Sequence, residues 1–327
     1  MAKKILGLVG RFDNNMIREV TRLLPNQFEL ELISPEDDHS KLRNIHYMIT
    51  RQMLINREVI SAAPKLEVIQ RWGSGYDKVD VACATERGIP VLIAAGVNAV
   101  SVSEHAVLLM LAVLRRITLA DRSVHRGTWL IPEILEQART LSGKTVGLVG
   151  FGNIARLVAE KVNVFGAKVQ YYDLVRGTAR QEQDLRASYV SLDTLMGTSD
   201  IVSIHVPLTA QTEGLIGREE IGRMKPEAVL INTARGKIVD EQALADALEG
   251  NRLSGAGIDT FANEPVESGN RLLTFENVIC TPHIGGSTLD NHAFCARHCM
   301  NNLMDALEGR EFSKRDLVNP EYKVHSL

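Results

Sequence analysis

A run of eleven residues, Thr145-Val-Gly-Leu-Val-Gly150-Phe-Gly152-Asn-Ile-Ala155, constrains the fold of this chain more than any other. An apolar, β-rich segment leads directly into G-x-G-x-x-A, and Arg156–Val164 continues with a helical pattern. Gly150 allows the tight turn, Gly152 lets backbone approach a pyrophosphate, and Ala155 permits close packing of helix on strand. Exposed amides at the helix start, around Phe151, Asn153 and Ile154, would hold the phosphates. The following strand, Val169-Gln-Tyr-Tyr172, ends in Asp173, 18 residues beyond Ala155. A carboxylate there accepts hydrogen bonds from the adenosine ribose hydroxyls and repels a 2′-phosphate, which favours NAD over NADP. Arg176 is either a surface cation or a partial host for such a phosphate.

The rest of the chain repeats this alternation. Apolar runs at Lys4–Val9, Phe28–Ile33, His46–Thr50 and Leu66–Gln70 form a first set. Thr145–Val149, Val169–Tyr172, Ile201–His205, Val229–Asn232, Gly255–Ile258 and Val278–Cys280 form a second. Short buried-looking strands separated by helices predict an α/β protein with parallel sheets covered on both faces. A length of 327 residues allows two domains, and the two sets of strands read as two sheets. Ser101-Val-Ser-Glu104 has the spacing of a capping box, and the His105–Arg116 run after it is apolar on nearly every face. Such a helix must be buried all round, between domains or against a second subunit, which predicts a homodimer. Arg126–Ser142 reads as polar and irregular, with a fresh strand beginning at Lys144.

Composition excludes several classes. A net charge of −3 leaves no basic surplus for nucleic acid. The longest apolar stretch, Ala106–Leu114, is far below the roughly 20 residues a bilayer requires, so no membrane span is expected. The short apolar run Ile5–Gly10 is followed at once by Arg11 and reads as a first strand, not a signal peptide. Cys83, Cys280, Cys295 and Cys299 have no framework spacing and read as reduced thiols in a cytoplasm. His292, Cys295 and Cys299 could share one helical face. Closed zinc sites rarely take all their ligands from one helix, so a packed helix is the reading there and no metal is expected.

Three segments after the nucleotide motif bring costly groups to predicted strand ends, where ligands of open parallel sheets bind. One strand ends in Asn232-Thr-Ala-Arg235-Gly236, the next in Asp259-Thr-Phe-Ala-Asn-Glu264-Pro265, the last in Thr281-Pro-His283-Ile-Gly-Gly286. An arginine can bind a carboxylate bidentately and polarise a neighbouring carbonyl. A histidine can give the oxygen its proton, and a glutamate can hold that ring. Singly each is weak; jointly, downstream of a dinucleotide motif, they suit carbonyl reduction.

With these residues in view, the sequence resembles the D-isomer-specific 2-hydroxyacid dehydrogenases along almost its whole length. The resemblance includes Arg71-Trp-Gly-Ser-Gly75-Tyr-Asp77-Lys-Val-Asp80, Gly96-Val-Asn98, the glycine loop, His205-Val-Pro-Leu-Thr209, the three strand ends above and Val318-Asn-Pro320. It implies a flavodoxin-like substrate domain of residues 1–100 and 287–327, returning through a helix at Ser287–Gly309, and a Rossmann NAD-binding domain of residues 101–286. It implies Arg235, Glu264 and His283 as the catalytic set, with Arg235 binding substrate and His283 and Glu264 relaying the proton. Along the nicotinamide and its ribose it implies His205, Val206, Pro207, Thr212, Thr233, Ala234, Arg235, His283 and Gly285, with Asp259 near the carboxamide. The amides around Ser74 and Gly75 would grip the substrate carboxylate.

The implied reaction interconverts a small 2-keto acid and its D-2-hydroxy acid. Arg51 and Arg71 follow two successive strands, and the Arg71–Asp80 segment looks closest to phosphoglycerate dehydrogenases, so a phosphate or a second carboxylate could be received there. Trp72 stands where a small residue is expected in that subgroup, and the additional regulatory domain is absent. Glyoxylate or hydroxypyruvate reduction is the alternative. Pro282 in place of a glutamine argues against formate dehydrogenase. An NAD-sensing corepressor-like binding protein is the reading from another class.

Overall fold

A computed structural model describes residues 3–325. The chain divides into two compact units, Met1–Asn98 with Ser287–Leu327, and Ala99–Gly286. In the first, strands β1 (Lys4–Gly10), β2 (Phe28–Ile33), β3 (Tyr47–Arg51), β4 (Val68–Arg71) and β5 (Val91–Leu92) form one parallel sheet in the order β2-β1-β3-β4-β5. That is the flavodoxin order, with its reversal between β1 and β3. Side chains alternate between two cores, as the pleat requires. Leu6, Leu8, Tyr47 and Ile49 face one, whereas Val9, Met48 and Ile69 face the other. The helix Leu289–Leu307 covers the first of these faces with Cys295, Ala296, Cys299 and Leu303. The segment after it pairs Leu317 with Leu92, and the buried Asn319 accepts from Val91 N and donates to Thr85 Oγ1 and Ile89 O.

In the second unit, β6 (Thr145–Val149), β7 (Lys168–Tyr172), β8 (Ala187–Tyr189), β9 (Ile201–Ile204), β10 (Val229–Asn232), β11 (Gly255–Ile258) and β12 (Val278–Cys280) form a parallel sheet. Its order, β12-β11-β10-β9-β6-β7-β8, is the Rossmann arrangement with one strand added. Val229 and Ile231 face one core and Leu230 the other. Two strands, β5 and β8, lie outside the expected set. They are two and three residues long, too short to produce a periodic signal.

Two local expectations are corrected, and a third is open in a single chain. The apolar helix starts at Ala99, so Ser101 and Glu104 lie inside it and form no cap box; burial of Ala99, Val102 and Ala106 outweighs the capping preference. Within a single chain that helix leaves one face open: Val100, Glu104 and Leu108 form an outward stripe at i, i+4 and i+8, with Leu108 58% exposed, so burial all round would require a second subunit. The stretch expected to be irregular contains a short helix, Ile131–Leu135. Among the described residues no helix is long and apolar enough to cross a membrane, and no cluster of three His, Cys, Asp or Glu side chains could hold a metal.

Candidate active site

The glycine loop joins β6 to the helix Asn153–Val164. Gly150 has φ +97°, and a Cβ there would lie 2.8 Å from the His205 carbonyl oxygen, so both conformation and the neighbouring strand end demand glycine. Gly152 is different: a Cβ on it would meet nothing within 4 Å. No protein atom needs that space. It lies at a helix start with no side-chain cap, where amides of the first turn can receive an anion. Ala155 is fully buried and Phe151 stacks on Tyr171 with centroids 3.7 Å apart, which fixes the base of the loop.

Asp173 closes this loop from β7. Its Oδ2 accepts from Phe151 N at 2.7 Å and its Oδ1 from Val175 N at 3.1 Å, leaving lone pairs on a half-buried carboxylate. Arg176 is held elsewhere. Its Nε and Nη2 donate to the two oxygens of Glu182 at 2.8 and 2.9 Å, and its guanidinium lies 5.4 Å from the Tyr189 ring centre. The arginine and a Tyr171 hydroxyl bond hold the Glu182 carboxyl down to about 2. A 2′-phosphate would have to displace that pair.

Beyond β9, His205 Nε2 lies 2.9 Å from Ser203 Oγ, and His205 N donates to Val149 O at 2.7 Å. Desolvation pushes the imidazole down to about 3, so it is neutral at physiological pH. Val206 and Pro207 follow it, and Thr212 closes the turn by donating from Oγ1 to Pro207 O at 2.5 Å. These positions lie next to the glycine loop, because β6 and β9 are paired neighbours.

The ends of β10, β11 and β12 are adjacent by register: Asn232 pairs with Ile258, and Ile258 with Cys280. Buried Asn232 shapes the arginine loop, accepting from Ala234 N at 3.0 Å and donating to Arg235 O at 2.9 Å. The Thr233 hydroxyl is buried and has no partner among the described residues. Arg235 is half-buried, with Nη1 donating to Ala234 O at 2.7 Å. Gly236 then packs backbone to backbone against the next loop: a Cβ would lie 1.9 Å from the Phe261 carbonyl carbon. Glu241 pins that loop from below, accepting from Ala262 N and Asn270 Nδ2.

Glu264 and His283 form the centre of the site. His283 Nδ1 is 2.9 Å from both Oε1 and Oε2 of Glu264, and Phe261 N donates to Oε1 at 3.2 Å. With a carboxylate on it, Nδ1 carries hydrogen and Nε2 is the atom available to a substrate. The histidine has φ +54°, a conformation costing a non-glycine residue about 1–2 kcal/mol. Asp259 holds it there. This carboxylate, 1% exposed, accepts from Thr281 Oγ1 at 2.6 Å and from Ile284 N and Gly285 N at 2.9 Å each; its backbone carbonyl takes His283 N at 2.8 Å. Burial alone would raise the Asp259 pKa, but hydrogen bonds, including one from His105, leave it lowered. Besides the carboxamide role that the resemblance implies for it, Asp259 clamps the histidine loop with both oxygens. Asn232, Glu241 and His105 were missed, since each is an ordinary polar residue until the loops it braces are seen.

In the first unit, the turn after β4 holds Ser74 and Gly75. Ser74 Oγ donates to Ala94 O at 3.3 Å and Asn98 Oδ1 at 3.2 Å, and neither the Ser74 nor the Gly75 amide has an acceptor among the described residues. Two unpaired amides in succession can receive a carboxylate. Arg71, 8% exposed, builds this turn: Nε donates to Gly75 O at 2.9 Å and Nη1 to Thr50 O at 3.0 Å. Arg51, at the end of β3, donates from Nη1 to Arg11 O and Gln52 Oε1.

Comparison with known proteins agrees with this geometry. The family model described as D-isomer specific 2-hydroxyacid dehydrogenase, NAD binding domain, matches residues 107–285, more than half the chain. A hydroxypyruvate reductase of Thermotoga maritima is 41% identical over 280 residues, covering 84% of this chain and 90% of that protein. A D-3-phosphoglycerate dehydrogenase of Mycobacterium bovis is 43% identical over 236 residues, covering 72% of this chain but 44% of that protein. The crystal structure of Aquifex aeolicus D-lactate dehydrogenase complexed with NAD and lactic acid superposes with a TM-score of 0.86 at 27% identity, covering 96% of this chain and 99% of that one. The chain therefore belongs to the D-isomer-specific 2-hydroxyacid dehydrogenases, NAD-dependent oxidoreductases of the Rossmann type.

Proposed function

We propose that this enzyme reduces a short, unphosphorylated 2-keto acid, hydroxypyruvate or glyoxylate, to its 2-hydroxy acid with His283 as the proton donor. The observation that carries the proton role is the His283 Nδ1 to Glu264 contact at 2.9 Å, which orients the ring and stabilises imidazolium. Bound NADH supplies the hydride that reaches the keto carbon. His283 Nε2 gives its proton to the carbonyl oxygen as that hydride arrives, and Arg235 binds the substrate carboxylate and polarises the carbonyl. In the opposite direction the neutral ring takes the hydroxyl proton. Gly150, Gly152 and the helix start hold the pyrophosphate, Asp173 the adenosine ribose, and His205–Thr212 with Thr233 line the nicotinamide side. His283→Ala should lower turnover by about 10²–10⁴-fold with NADH still bound. Turnover within a few fold of the parent would remove His283 from proton transfer.

The substrate reading rests on Arg71, which is buried and committed to two backbone carbonyls and so is poorly placed to take a phosphate. Phosphohydroxypyruvate is the second reading, favoured by Arg51, whose Nε and Nη2 have no acceptor among the described residues. NADH oxidation measured against glyoxylate, hydroxypyruvate, phosphohydroxypyruvate and pyruvate separates them, and a preference for phosphohydroxypyruvate would overturn the first.

The functional unit is proposed to be a homodimer. Leu108, Trp129 and Leu135 are 58%, 73% and 73% exposed in a single chain, apolar surface that a second subunit would cover. A monomer mass independent of concentration in sedimentation would refute this. The four cysteines carry free thiols, as suits the cytoplasmic location that we propose and that fractionation would check.

A further inference from the structure

Between β7 and the helix Ala179–Asp184 the chain runs Asp173-Leu-Val-Arg-Gly-Thr178, starting from the carboxylate that closes the glycine loop. Its backbone is anchored on both sides of Arg176. Val175 N donates to Asp173 Oδ1 at 3.1 Å, and Gly177 N donates to the Tyr171 hydroxyl at 2.9 Å. A Cβ on Gly177 would lie 3.0 Å from that hydroxyl and 3.1 Å from Phe151 Cδ1, so the segment rests directly on the stacked Phe151 and Tyr171 rings. Thr178 then caps the helix, its Oγ1 accepting from Gln181 N while Gln181 Oε1 accepts from Thr178 N. With both neighbours fixed, Arg176 can move its guanidinium only by changing side-chain rotamer.

The rotamer present aims the guanidinium at Glu182. Nε and Nη2 meet the two carboxylate oxygens at 2.8 and 2.9 Å, the bidentate geometry in which an arginine–carboxylate pair is strongest. Glu182 is itself held. The Tyr171 hydroxyl donates to its Oε1 at 2.6 Å, and its side chain is 16% exposed against 63% for Arg176. An ordinary surface pair must order two long side chains, whereas here the acid is already in place and the arginine alone loses freedom. The Tyr189 ring, 5.4 Å from the guanidinium, backs the pair, and its hydroxyl donates to the Asp173 carbonyl at 3.4 Å. Arg176 and Asp173 thus flank one tyrosine in a segment that the Val175 bond folds back over the carboxylate, and a guanidinium released from Glu182 can turn to that side.

We propose that Glu182 is a cofactor-specificity residue: by holding Arg176 it withholds from a 2′-phosphate the arginine that would pair with it, and so adds to Asp173 in selecting NADH over NADPH. This rests on the adenosine ribose lying at Asp173, as proposed above. Asp173 discriminates by direct repulsion, whereas Glu182 touches no part of the cofactor and acts through Arg176. A 2′-phosphate can take the arginine only by leaving Glu182 with the Tyr171 bond alone, and that loss weakens NADPH while NADH is untouched.

The test measures NADH and NADPH affinity by fluorescence titration in the parent, Glu182→Gln, Glu182→Ala, Arg176→Ala, Glu182→Ala/Arg176→Ala and Asp173→Ala proteins, with thermal unfolding as the control for folding. Glu182→Ala should strengthen NADPH relative to NADH by about fivefold, the upper end for a partly exposed pair of good geometry, and Glu182→Gln, which keeps the shape and loses the charge, by less. Removing a negative charge favours a phosphate by itself, and the double variant separates the two causes: without Arg176 the ratio should stay within about twofold of that in Arg176→Ala. Displacement of NADH by 2′,5′-ADP reads the same end of the cofactor without the nicotinamide and should strengthen in parallel, while displacement by ADP stays unchanged. An unaltered ratio in folded Glu182→Ala protein, or a gain that persists in the double variant, would overturn the proposal. If Asp173→Ala changes neither affinity, the ribose lies elsewhere and this inference falls with that placement. If Asp173→Ala shifts the ratio and Glu182→Ala does not, the placement stands and the role of Glu182 fails.

Discussion

Gly236→Ala tests whether the two loops carrying Arg235 and Glu264 are set by a single backbone contact. The added Cβ would lie 1.9 Å from the Phe261 carbonyl carbon and 2.2 Å from Ala262 N, where ordinary contact begins at 3.4 Å. All of these atoms are backbone, so no side chain can swing aside, and the two loops must separate by about 1.5 Å. Arg235 is the residue before the glycine, and Glu264 is three residues beyond Phe261, tied to it by the Phe261 N to Oε1 bond. A displacement of about 1 Å between groups that act on one carbonyl costs about 10²-fold in rate, or about 2.7 kcal/mol. Overpacking should also lower stability by about 1–3 kcal/mol. The glycine loop on β6 is separated from β10 by β9, so NADH affinity should fall far less than kcat/KM, through the Thr233 side of the nicotinamide alone. Steady-state kinetics with hydroxypyruvate, NADH fluorescence titration and a thermal melt measure the three quantities. A folded Gly236→Ala protein with kcat/KM within a few fold of the parent would show that loop spacing does not govern catalysis.

Three further outcomes are expected. Glu264→Gln keeps the shape of the side chain and removes the charge facing His283 Nδ1; kcat should drop about 10²-fold or more with NADH binding intact, and a smaller loss would leave the carboxylate a mere spacer. Asp173→Ala should raise the NADPH to NADH ratio of kcat/KM by about tenfold, because the repulsion of a 2′-phosphate is removed while Arg176 is still held by Glu182. His205 titrates near 3 when folded, so between its unfolded value of about 6.5 and that point the unfolded chain binds a proton that the folded chain does not. Stability is therefore lost as pH falls through this window, by at most about 1.4 kcal/mol per pH unit, and His205→Gln should flatten the slope in urea titrations at pH 6 to 4.

The covalent order of the chain was enough to reveal what depends on local pattern. Alternating apolar runs announce parallel sheets, and the spacing Gly150, Gly152, Ala155, Asp173 announces a dinucleotide loop, because turn geometry and ribose reach are set within one β-α-β unit. Arg235, Glu264 and His283 stood out because each follows a strand end closely. Tertiary structure alone decided how those groups are held. That Asp259 also braces the histidine loop became visible only when its two oxygens were seen on Thr281, Ile284 and Gly285. That Arg71 builds the turn after β4 became visible only when its bonds to Thr50 O and Gly75 O were seen. His292 was one member of a helical stripe until both its nitrogens proved buried without partners. Hydrogen-bond partners distant in sequence leave no periodic trace, since any polar residue can supply them. Only the folded chain brings the donor and acceptor within 3 Å and shows which polar groups are already used.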